Sequence, residues 1–307
     1  MAKVSIIGAG MTGATTAHWL AERELAELVL LDVVEGLPQG KALDLLEAMP
    51  VIGKDVRVTG SNDYEATEGS DIVVITAGLP RKPGMSREDL LSTNADIVKK
   101  ATEGTLKRSP NAIYIVLTNP LDAMCHVVMK VGGLLRERVI GQAGILDSAR
   151  MRSFVAMELG VSVESVYCYV LGGHGDSMVP LTRHSNVAGV PLTKILSVDK
   201  LAAIVQRTRQ GGGEIVALLK SGSAFYAPSA AIAQMVESIL KDKNLIVPCS
   251  IYMQGEYGLK DIFFGVPAQL GKTGLVKVIE YDLNAEEKTM LEKSAAEVIA
   301  SMAGLSV

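Results

Sequence analysis

Hydrophobic positions in the first half of the chain follow two alternating patterns. Short β-branched apolar runs indicate buried strands, and longer segments with apolar residues three or four positions apart indicate helices. The predicted strands are residues 4–7, 27–31, 56–59, 71–75, 112–117 and 138–140, and the predicted helices are residues 11–23, 37–49, 86–108 and 121–129. Repeated strand–helix units of this length predict an α/β fold with a doubly wound, mostly parallel sheet.

The pattern changes after about residue 141. It predicts helices at 148–159, 198–219, 228–239 and 285–303, an apolar run at 165–171, and hairpin-like segments at 245–257 and 261–268. Three consecutive glycines, residues 211–213, predict a kink or break in the first long helix. We therefore expect two domains, residues 1–143 with the parallel sheet and residues 144–307 with a mixed α+β fold. No Ser/Gly-rich linker separates them, so we expect the functional site between them.

Composition narrows the classes of function. Apolar residues make up 48% of the 307 residues, but no run of eighteen or more apolar residues occurs, which argues against a membrane partner. A net charge of −4, the lack of a basic cluster and only 4% aromatic residues argue against a nucleic-acid partner. The expected partner is a small-molecule substrate.

Cysteine and histidine usage bears on compartment and metal content. Cys125, Cys168 and Cys249 are widely separated, odd in number and without zinc-type spacing, so they predict free thiols in a reducing compartment. The four histidines include no i,i+4 pair, so no bound metal is expected. The chain also starts directly with a strand pattern rather than a signal-peptide pattern. We expect a cytoplasmic protein.

Residues 8–13, Gly-Ala-Gly-Met-Thr-Gly, match the GxGxxG fingerprint between a predicted strand and helix. Gly8 allows a tight turn, Gly10 lets the backbone approach a pyrophosphate, and Gly13 lets the helix pack against the strand. Asp32 ends the second strand, where a carboxylate binds ribose hydroxyls and repels a 2′-phosphate. The alternative is a glycine turn with an unrelated aspartate. The pattern predicts a Rossmann domain that binds NAD rather than NADP, through these residues and the turn: Gly8, Gly10, Met11, Thr12, Gly13 and Asp32.

A loop with two arginines follows the fourth strand. Residues 76–90, called the arginine loop below, contain Arg81 and Arg87 together with two prolines and two glycines that break regular structure. Loops at the carboxyl ends of strands in open α/β sheets bind ligands. The arginine loop therefore predicts a lid over an anionic substrate. A solvated basic turn is the alternative.

Two further segments carry candidate acid–base chemistry. His174 stands among three glycines at 172–177, which leaves its imidazole accessible and suits a general acid/base, although an ordinary loop histidine is the alternative. Asp147 and Arg150 are three residues apart and share one helical face, where the carboxylate can orient the histidine and the guanidinium can bind a carboxylate. A capping acid with a surface arginine is the alternative for this pair.

The motifs occur in one order along the chain: residues 8–13, Asp32, the arginine loop, residues 118–122, residues 145–150 and residues 173–177. In this order they resemble the lactate/malate dehydrogenase superfamily over essentially the whole chain. The resemblance implies that His174 transfers the proton, Asp147 is its partner, Arg150 holds the C1 carboxylate and Arg87 polarises the carbonyl. It implies that Asn119 bonds the substrate oxygen before a cis proline. Further cofactor contacts are implied at Thr76, Ala77, Gly78, Asn94, Thr118 and Asn119.

Two positions separate the substrates within this superfamily. Arg81 stands where lactate enzymes of the superfamily typically have glutamine, and Ala224 stands where they commonly have threonine. The motifs resemble those of the bacterial, lactate-dehydrogenase-like malate enzymes. A buried guanidinium needs a charged partner, which the second carboxylate of oxaloacetate supplies and the methyl group of pyruvate does not. The implied reaction is NAD-dependent oxidation of (S)-malate to oxaloacetate.

Three alternatives remain at the level of sequence: a dehydrogenase for lactate or a branched 2-hydroxy acid, a non-catalytic nucleotide-binding protein, and an NAD-dependent glycosidase of related fold. The first conflicts with Arg81 and Ala224, the second with the joint presence of the acid–base and arginine residues, and the third with the lack of metal ligands. Family resemblance also implies a homodimer or homotetramer. The apolar helices at residues 42–49 and 228–239 are candidate contact faces.

Overall fold

A nine-stranded sheet forms the centre of the computed structural model, which describes residues 1–80 and 87–305. The strands within these ranges are β1 Lys3–Ile7, β2 Glu27–Leu31, β3 Val58–Ser61, β4 Ile72–Ile75, β5 Ile113–Val116, β6 Val139–Gly141, β7 Val166–Tyr167, β8 Val170–Leu171, β9 Val179–Pro180, β10 Asn186–Val187, β11 Val190–Pro191, β12 Leu245–Gln254, β13 Lys260–Gly271 and β14 Gly274–Val278. The order across the large sheet is β14-β13-β12-β6-β5-β4-β1-β2-β3. Strands β1 to β6 pair in parallel, and β12 to β14 form an antiparallel extension.

Helices cover both faces of the parallel part of this sheet. The α-helices of the described residues are α1 Met11–Glu22, α2 Leu37–Val51, α3 Arg87–Arg108, α4 Leu121–Gly132, α5 Gly144–Leu159, α6 Leu192–Ile195, α7 Val198–Leu219, α8 Tyr226–Leu240 and α9 Ala285–Ser301. The doubly wound α/β fold predicted from the alternating pattern is confirmed. Within the described ranges, no helix has both the length and the apolar composition needed to cross a membrane.

The two faces of β4 explain why its sequence is apolar throughout. All four residues of β4 are buried. Ile72 and Val74 belong to one core cluster, which also contains residues of α1 and α8, whereas Val73 and Ile75 belong to a second cluster with residues of α3 and α4. Successive side chains of a strand point to opposite faces, so a strand between two helical layers is apolar at every position.

Most element boundaries lie within a few residues of the predicted ones, with two informative differences. Helix α5 begins at Gly144 instead of residue 148, so Asp147 lies in its first turn. Helix α7 runs from Val198 to Leu219 without interruption, so the predicted break at residues 211–213 is wrong.

The large sheet takes strands from both halves of the chain. Ser250 on β12 pairs with Gly141 on β6 and so joins the antiparallel extension to the parallel strands. The division into residues 1–143 and residues 144–307 stays a prediction. The carboxyl ends of β1, β4 and β5 share one edge of the sheet, where ligands bind in open α/β sheets, and the candidate site lies at this edge.

Candidate active site

The turn after β1 is shaped by close packing. Gly8 has a φ of +102°, and its N–H donates to the carbonyl of Leu31 at 2.7 Å. A Cβ on Gly13 would lie 1.8 Å from the carbonyl oxygen of Gly8, so the start of α1 packs against the turn at a distance that only glycine permits. A Cβ on Gly10 would have no described atom within 4 Å. Gly10 therefore borders open space, as a residue facing a ligand does.

The start of α1 fits a dinucleotide pyrophosphate. Gly10 is the N-cap of α1 and provides no side-chain cap, so the first N–H groups of the helix have no side-chain acceptor at this cap. Uncapped N–H groups and the positive end of the helix dipole favour an anion. Asp32 lies beside the turn, since its Oδ2 accepts from the N–H of Ala9 at 2.7 Å and its Oδ1 accepts from that of Val34 at 3.0 Å. Each carboxylate oxygen keeps a lone pair for a ribose hydroxyl.

Several predicted cofactor contacts tie the loops of this edge together. Thr76 Oγ1 donates to the carbonyl of Gly8 at 3.0 Å, and Thr118 Oγ1 donates to that of Ala77 at 2.7 Å. The amide of Asn94 donates to the carbonyl of Asn119 at 2.6 Å and accepts from the N–H of Leu79 at 2.8 Å. These side chains therefore hold the main chain of the loops around the predicted cofactor site in place. Direct cofactor contacts at Thr76, Ala77, Gly78, Asn94, Thr118 and Asn119 stay a prediction.

The structure brings three predicted site residues into contact. His174 Nδ1 lies 2.9 Å from Asp147 Oδ2, and Arg150 Nη1 lies 3.1 Å from Asp147 Oδ1. The Asp147 side chain is only 2% exposed, whereas that of His174 is 18% exposed. One buried carboxylate thus holds a histidine and an arginine that come from a loop and a helix. The bond at Nδ1 leaves Nε2 as the ring nitrogen able to meet a substrate.

The surroundings of His174 favour its protonated form. Burial lowers the pKa of His174, but the charge and hydrogen bond of Asp147 raise it, and the net result is a pKa above the ordinary value. Arg150 acts in the lowering direction and Asp122 in the raising direction. The His174 imidazole can therefore bind a proton and donate it to a bound ligand.

The glycines of α7 make room for Arg150. A Cβ on Gly211 would lie 3.0 Å from Cδ of Arg150, and a Cβ on Gly212 would lie 3.5 Å from its Nη2. The Arg150 guanidinium is thereby enclosed, and its buried Nε has no partner among the described residues. Gly211 and Gly212 thus serve packing between α5 and α7, and the helix continues through them. The Arg150 side chain keeps 13% exposure, and a guanidinium is a favourable partner for a carboxylate ligand.

The remaining predicted site residues lie in loops next to strand β5 and helix α8 or outside the described residues. Asn119 lies at the exposed carboxyl end of β5, and the Asn119–Pro120 peptide is cis, as the resemblance implies. Ala224 precedes α8. Arg81 and the side chain of Arg87 lie outside the described part of the chain, so their roles stay predictions.

Sequence reasoning missed several residues at this edge. Lys41 on α2 donates through Nζ to the carbonyl of Ala9 at 2.7 Å, and Ser294 on α9 accepts from the N–H of Gly173 at 2.9 Å. Gln142, directly after β6, is fully buried, and its side-chain amide has no partner within the described ranges. Asp122 is buried beneath the His174 loop. Only Asp122 carried a signal in the sequence, as the last residue of the motif at 118–122.

The three cysteines are buried in the protein core. Cys125, Cys168 and Cys249 are free and buried. Burial raises the pKa of the Cys168 thiol to about 12, so it stays protonated at neutral pH. Across residues 1–80 and 87–305, no group of three or more His, Cys, Asp or Glu side chains is placed to bind a metal ion.

The uncapped glycine turn at a sheet edge and the buried His–Asp pair beyond it define a dinucleotide-binding enzyme with acid–base chemistry. Comparison with known families agrees. The model of the lactate/malate dehydrogenase NAD binding domain matches residues 2–141, and that of the lactate/malate dehydrogenase alpha/beta C-terminal domain matches residues 145–305. The chain belongs to the lactate/malate dehydrogenase family.

Individual relatives extend this finding. The chain is 57% identical over 303 residues to a malate dehydrogenase of Roseiflexus sp. (strain RS-1), covering 99% of this chain and 98% of the relative. It is 56% identical over 305 residues to that of Desulforudis audaxviator, covering 99% of each. Among solved structures, Salinibacter ruber malate dehydrogenase superposes with a TM-score of 0.95 at 49% identity, covering 99% of this chain and 97% of that one. Cryptosporidium parvum lactate dehydrogenase, complexed with lactic acid and NAD, gives 0.95 at 42% identity, covering 98% and 96%. The fold alone therefore does not separate the two substrates.

Proposed function

We propose that this protein is an NAD-dependent malate dehydrogenase, which reversibly oxidises (S)-malate to oxaloacetate, a reaction of the tricarboxylic acid cycle. The observation that carries the proposal is the buried Asp147 carboxylate, which holds His174 at 2.9 Å and Arg150 at 3.1 Å. Curated relatives at 55–58% identity that bear the name malate dehydrogenase support the choice of substrate.

The proton chemistry follows from the charges around His174. Bound NAD supplies the acceptor for the hydride that leaves C2 of malate. Neutral His174 takes the hydroxyl proton at Nε2, and Asp147 at Nδ1 stabilises the imidazolium that forms. In the reverse direction the imidazolium donates this proton to the carbonyl oxygen of oxaloacetate. Reduction therefore needs protonated His174 and slows as the pH rises through the His174 pKa, whereas oxidation needs the neutral form and speeds up.

Charge complementarity positions the substrate. We assign the C1 carboxylate to Arg150, whose Nε has no partner among the described residues and whose guanidinium can bind a carboxylate with two parallel hydrogen bonds. Asn119 is assigned to the substrate oxygen. Arg87 is assigned to the reacting carbonyl and Arg81 to the second carboxylate, on the evidence of the sequence. These four residues and His174 would then contact every polar group of oxaloacetate.

Cofactor binding is assigned to the turn at 8–13 and to Asp32. The uncapped start of α1 supports the pyrophosphate position, and the Asp32 carboxylate supports NAD over NADP, because it would repel a 2′-phosphate. Thr76, Ala77, Gly78, Asn94, Thr118 and Asn119 complete the proposed site. We divide the chain into an NAD-binding domain, residues 1–143, and a catalytic domain, residues 144–307.

The cellular setting is also a proposal. Three free buried cysteines suit a reducing compartment, so we place the protein in the cytoplasm. We propose a homodimer or homotetramer. Exposed apolar side chains on α2, Leu43 and Leu46, support contact through that helix, since such residues mark interfaces when they cluster.

A substrate and cofactor screen tests the proposed function. Initial rates are measured with oxaloacetate and with pyruvate, each with NADH and with NADPH. We expect kcat/KM for oxaloacetate to exceed that for pyruvate by about 10⁴-fold, because pyruvate leaves a buried guanidinium unpaired. We expect NADH to be strongly preferred. Similar values of kcat/KM for the two substrates would refute the malate assignment.

Replacing Arg81 with glutamine distinguishes the role assigned to Arg81 from the role assigned to Arg87. The Arg81→Gln enzyme should lose oxaloacetate reduction far more than pyruvate reduction, because only oxaloacetate has a second carboxylate to pair. The NADH affinity, followed by fluorescence titration, serves as the control and should not change. An equal loss on both substrates would contradict the assigned role of Arg81.

A further inference from the structure

Asp122 is a buried carboxyl group for which the mechanism above has no use. It lies in the first turn of α4, and only 7% of the residue is exposed. Its Oδ1 accepts a hydrogen bond from Ser250 Oγ on β12 at 2.5 Å. We propose that Asp122 is a positioning residue for His174, which anchors the main chain of the His174 loop and places a second negative charge near the imidazole. This inference rests on the proposed function.

Two consecutive main-chain amides of the loop are held by two different elements. The N–H of Gly172 donates to the carbonyl of Gly265 on β13 at 2.9 Å, and the N–H of Gly173 donates to Ser294 Oγ on α9 at 2.9 Å. The N–H of His174, the next residue, faces Asp122 on α4 and lowers the pKa of that carboxyl group. Asp122 thus acts on the residue that carries the imidazole, next to the two anchored glycines.

The packing around Gly173 leaves no room for a side chain at this position. A Cβ on Gly173 would lie 3.7 Å from Asp122 Oδ2 and 2.6 Å from a methyl carbon of Val298. The Val298 side chain therefore requires glycine at this position, and the Asp122 carboxyl group lies beside it at an ordinary contact distance. The imidazole of the next residue, His174, contacts Asp147 from α5 at 2.9 Å.

Ser250 is itself held in place. It pairs with Gly141 on β6, is fully buried, and its Cβ lies 2.7 Å from the position that a Gly141 Cβ would take. The hydroxyl proton of Ser250 is used on Asp122. A serine fixed by the sheet thus orients the carboxyl group, and the carboxyl group in turn orients the His174 loop.

The charge of Asp122 is coupled to the proposed acid–base pair. The titratable groups that act on it are His174 and Asp147, and Asp122 in turn raises the pKa of Cys125 on α4. Burial raises the pKa of Asp122 to about 6, with Ser250 and His174 lowering it and Asp147 raising it. Ionised Asp122 in turn raises the pKa of His174. Both the anchor and the charge favour a correctly placed imidazolium.

Asp122→Asn tests both parts of this role. Asparagine keeps the shape but loses the charge and one of the two acceptor oxygens, so it cannot accept from Ser250 and also present an acceptor oxygen to the His174 N–H. We expect kcat for oxaloacetate reduction to fall about 10-fold to 100-fold, since small displacements of a catalytic group cost factors of this size. The NADH dissociation constant should stay unchanged. The pH at which reduction declines should shift to lower values, because the imidazolium loses a nearby negative charge.

A second readout does not depend on activity. The pKa of His174 is measured by NMR titration of the four histidines, with its signal identified by its loss in a His174→Asn protein. The His174 pKa should be lower in Asp122→Asn than in the unchanged protein. If the unchanged protein fails to reduce oxaloacetate, the proposed function is wrong, yet the NMR shift still decides whether Asp122 acts on His174.

Matched variants separate the proposed role from loss of folding. Ser250→Ala removes the hydroxyl that lowers the pKa of Asp122, so it should shift the His174 pKa in the same direction by less. Ser238→Ala is its control, because Ser238 is equally buried but donates to the carbonyl of Leu270. If Asp122→Asn does not fold, the serine pair decides the question. Unchanged kcat, pH profile and His174 pKa in the folded variants would overturn the inference.

Discussion

The glycine turn at residues 8–13 and the cluster of Asp147, Arg150 and His174 are built on opposite principles. The turn is contiguous in sequence and presents main-chain N–H groups, and its shape follows from the absence of side chains. The cluster draws on a helix and a distant loop, and its shape follows from one buried carboxylate between two groups that can carry positive charge. A site built from main-chain N–H groups thus depends on the room that glycines leave. A site built from side chains depends on buried charges that neutralise each other.

Replacing His174 with asparagine gives the largest expected effect. Asparagine preserves a polar group but cannot transfer the proton, so kcat for oxaloacetate reduction should fall by about 10²–10⁴-fold. Steady-state kinetics at several pH values would measure the loss. The pH dependence assigned to the imidazole should vanish together with most of the rate.

The same variant tests whether the two regions are independent. NADH binding to His174→Asn, measured by fluorescence titration, should match that of the unchanged protein, because the glycine turn gains and loses no contact. A large loss of NADH affinity would show that the cluster supports the cofactor cradle. A rate that stays high would remove His174 from the proposed chemistry.

Two alanine substitutions in the turn distinguish a glycine that leaves room for a ligand from a glycine that permits close packing. Gly10→Ala should leave the thermal unfolding temperature unchanged and weaken NADH binding roughly 10-fold, or about 1.4 kcal/mol, because the new methyl group points into open space at the helix start. Gly13→Ala should destabilise the protein by about 3 kcal/mol, because its Cβ would overlap the Gly8 carbonyl oxygen.

Calorimetry and NADH titration on both variants measure the difference. The pair forms its own control, since each protein carries one added methyl group within the same turn. If Gly10→Ala bound NADH with unchanged affinity, the pyrophosphate would not lie at the start of α1. If Gly13→Ala melted at the usual temperature, the close packing of α1 on the turn would not be needed for stability.

The two regions also differ in how far sequence predicts them. The glycine turn could be predicted because its function depends on residues that are adjacent in the chain and have fixed roles. The cluster could be predicted only as a resemblance, because nothing in local spacing shows that His174 meets Asp147. Asp122 and Ser294 were missed because they act through main-chain atoms of a loop that is distant in sequence. The glycines of α7 were misjudged because their neighbour, Arg150, belongs to another helix.

The smallest expected effects come from the glycines of α7, where a packed position and an open position of one helix can be compared. Gly211→Ala and Gly213→Ala should each gain about 0.5–1 kcal/mol of helix stability, because alanine loses less backbone entropy than glycine. A Cβ at residue 213 has no described atom within 4 Å, whereas at residue 211 it would press on the Arg150 side chain at 3.0 Å. We therefore expect Gly213→Ala to melt slightly higher with unchanged kinetics.

Gly211→Ala should instead raise KM for oxaloacetate a few-fold, because Arg150 must shift by a few tenths of an ångström from the carboxylate it is assigned to bind. Thermal melts and oxaloacetate kinetics on the two variants measure both effects. Because the gain in helix propensity is the same at both positions, any difference in KM reports on Arg150 alone. Equal KM values would mean that the enclosed guanidinium tolerates movement, and that its pairing with Asp147, rather than the space left by α7, fixes its position.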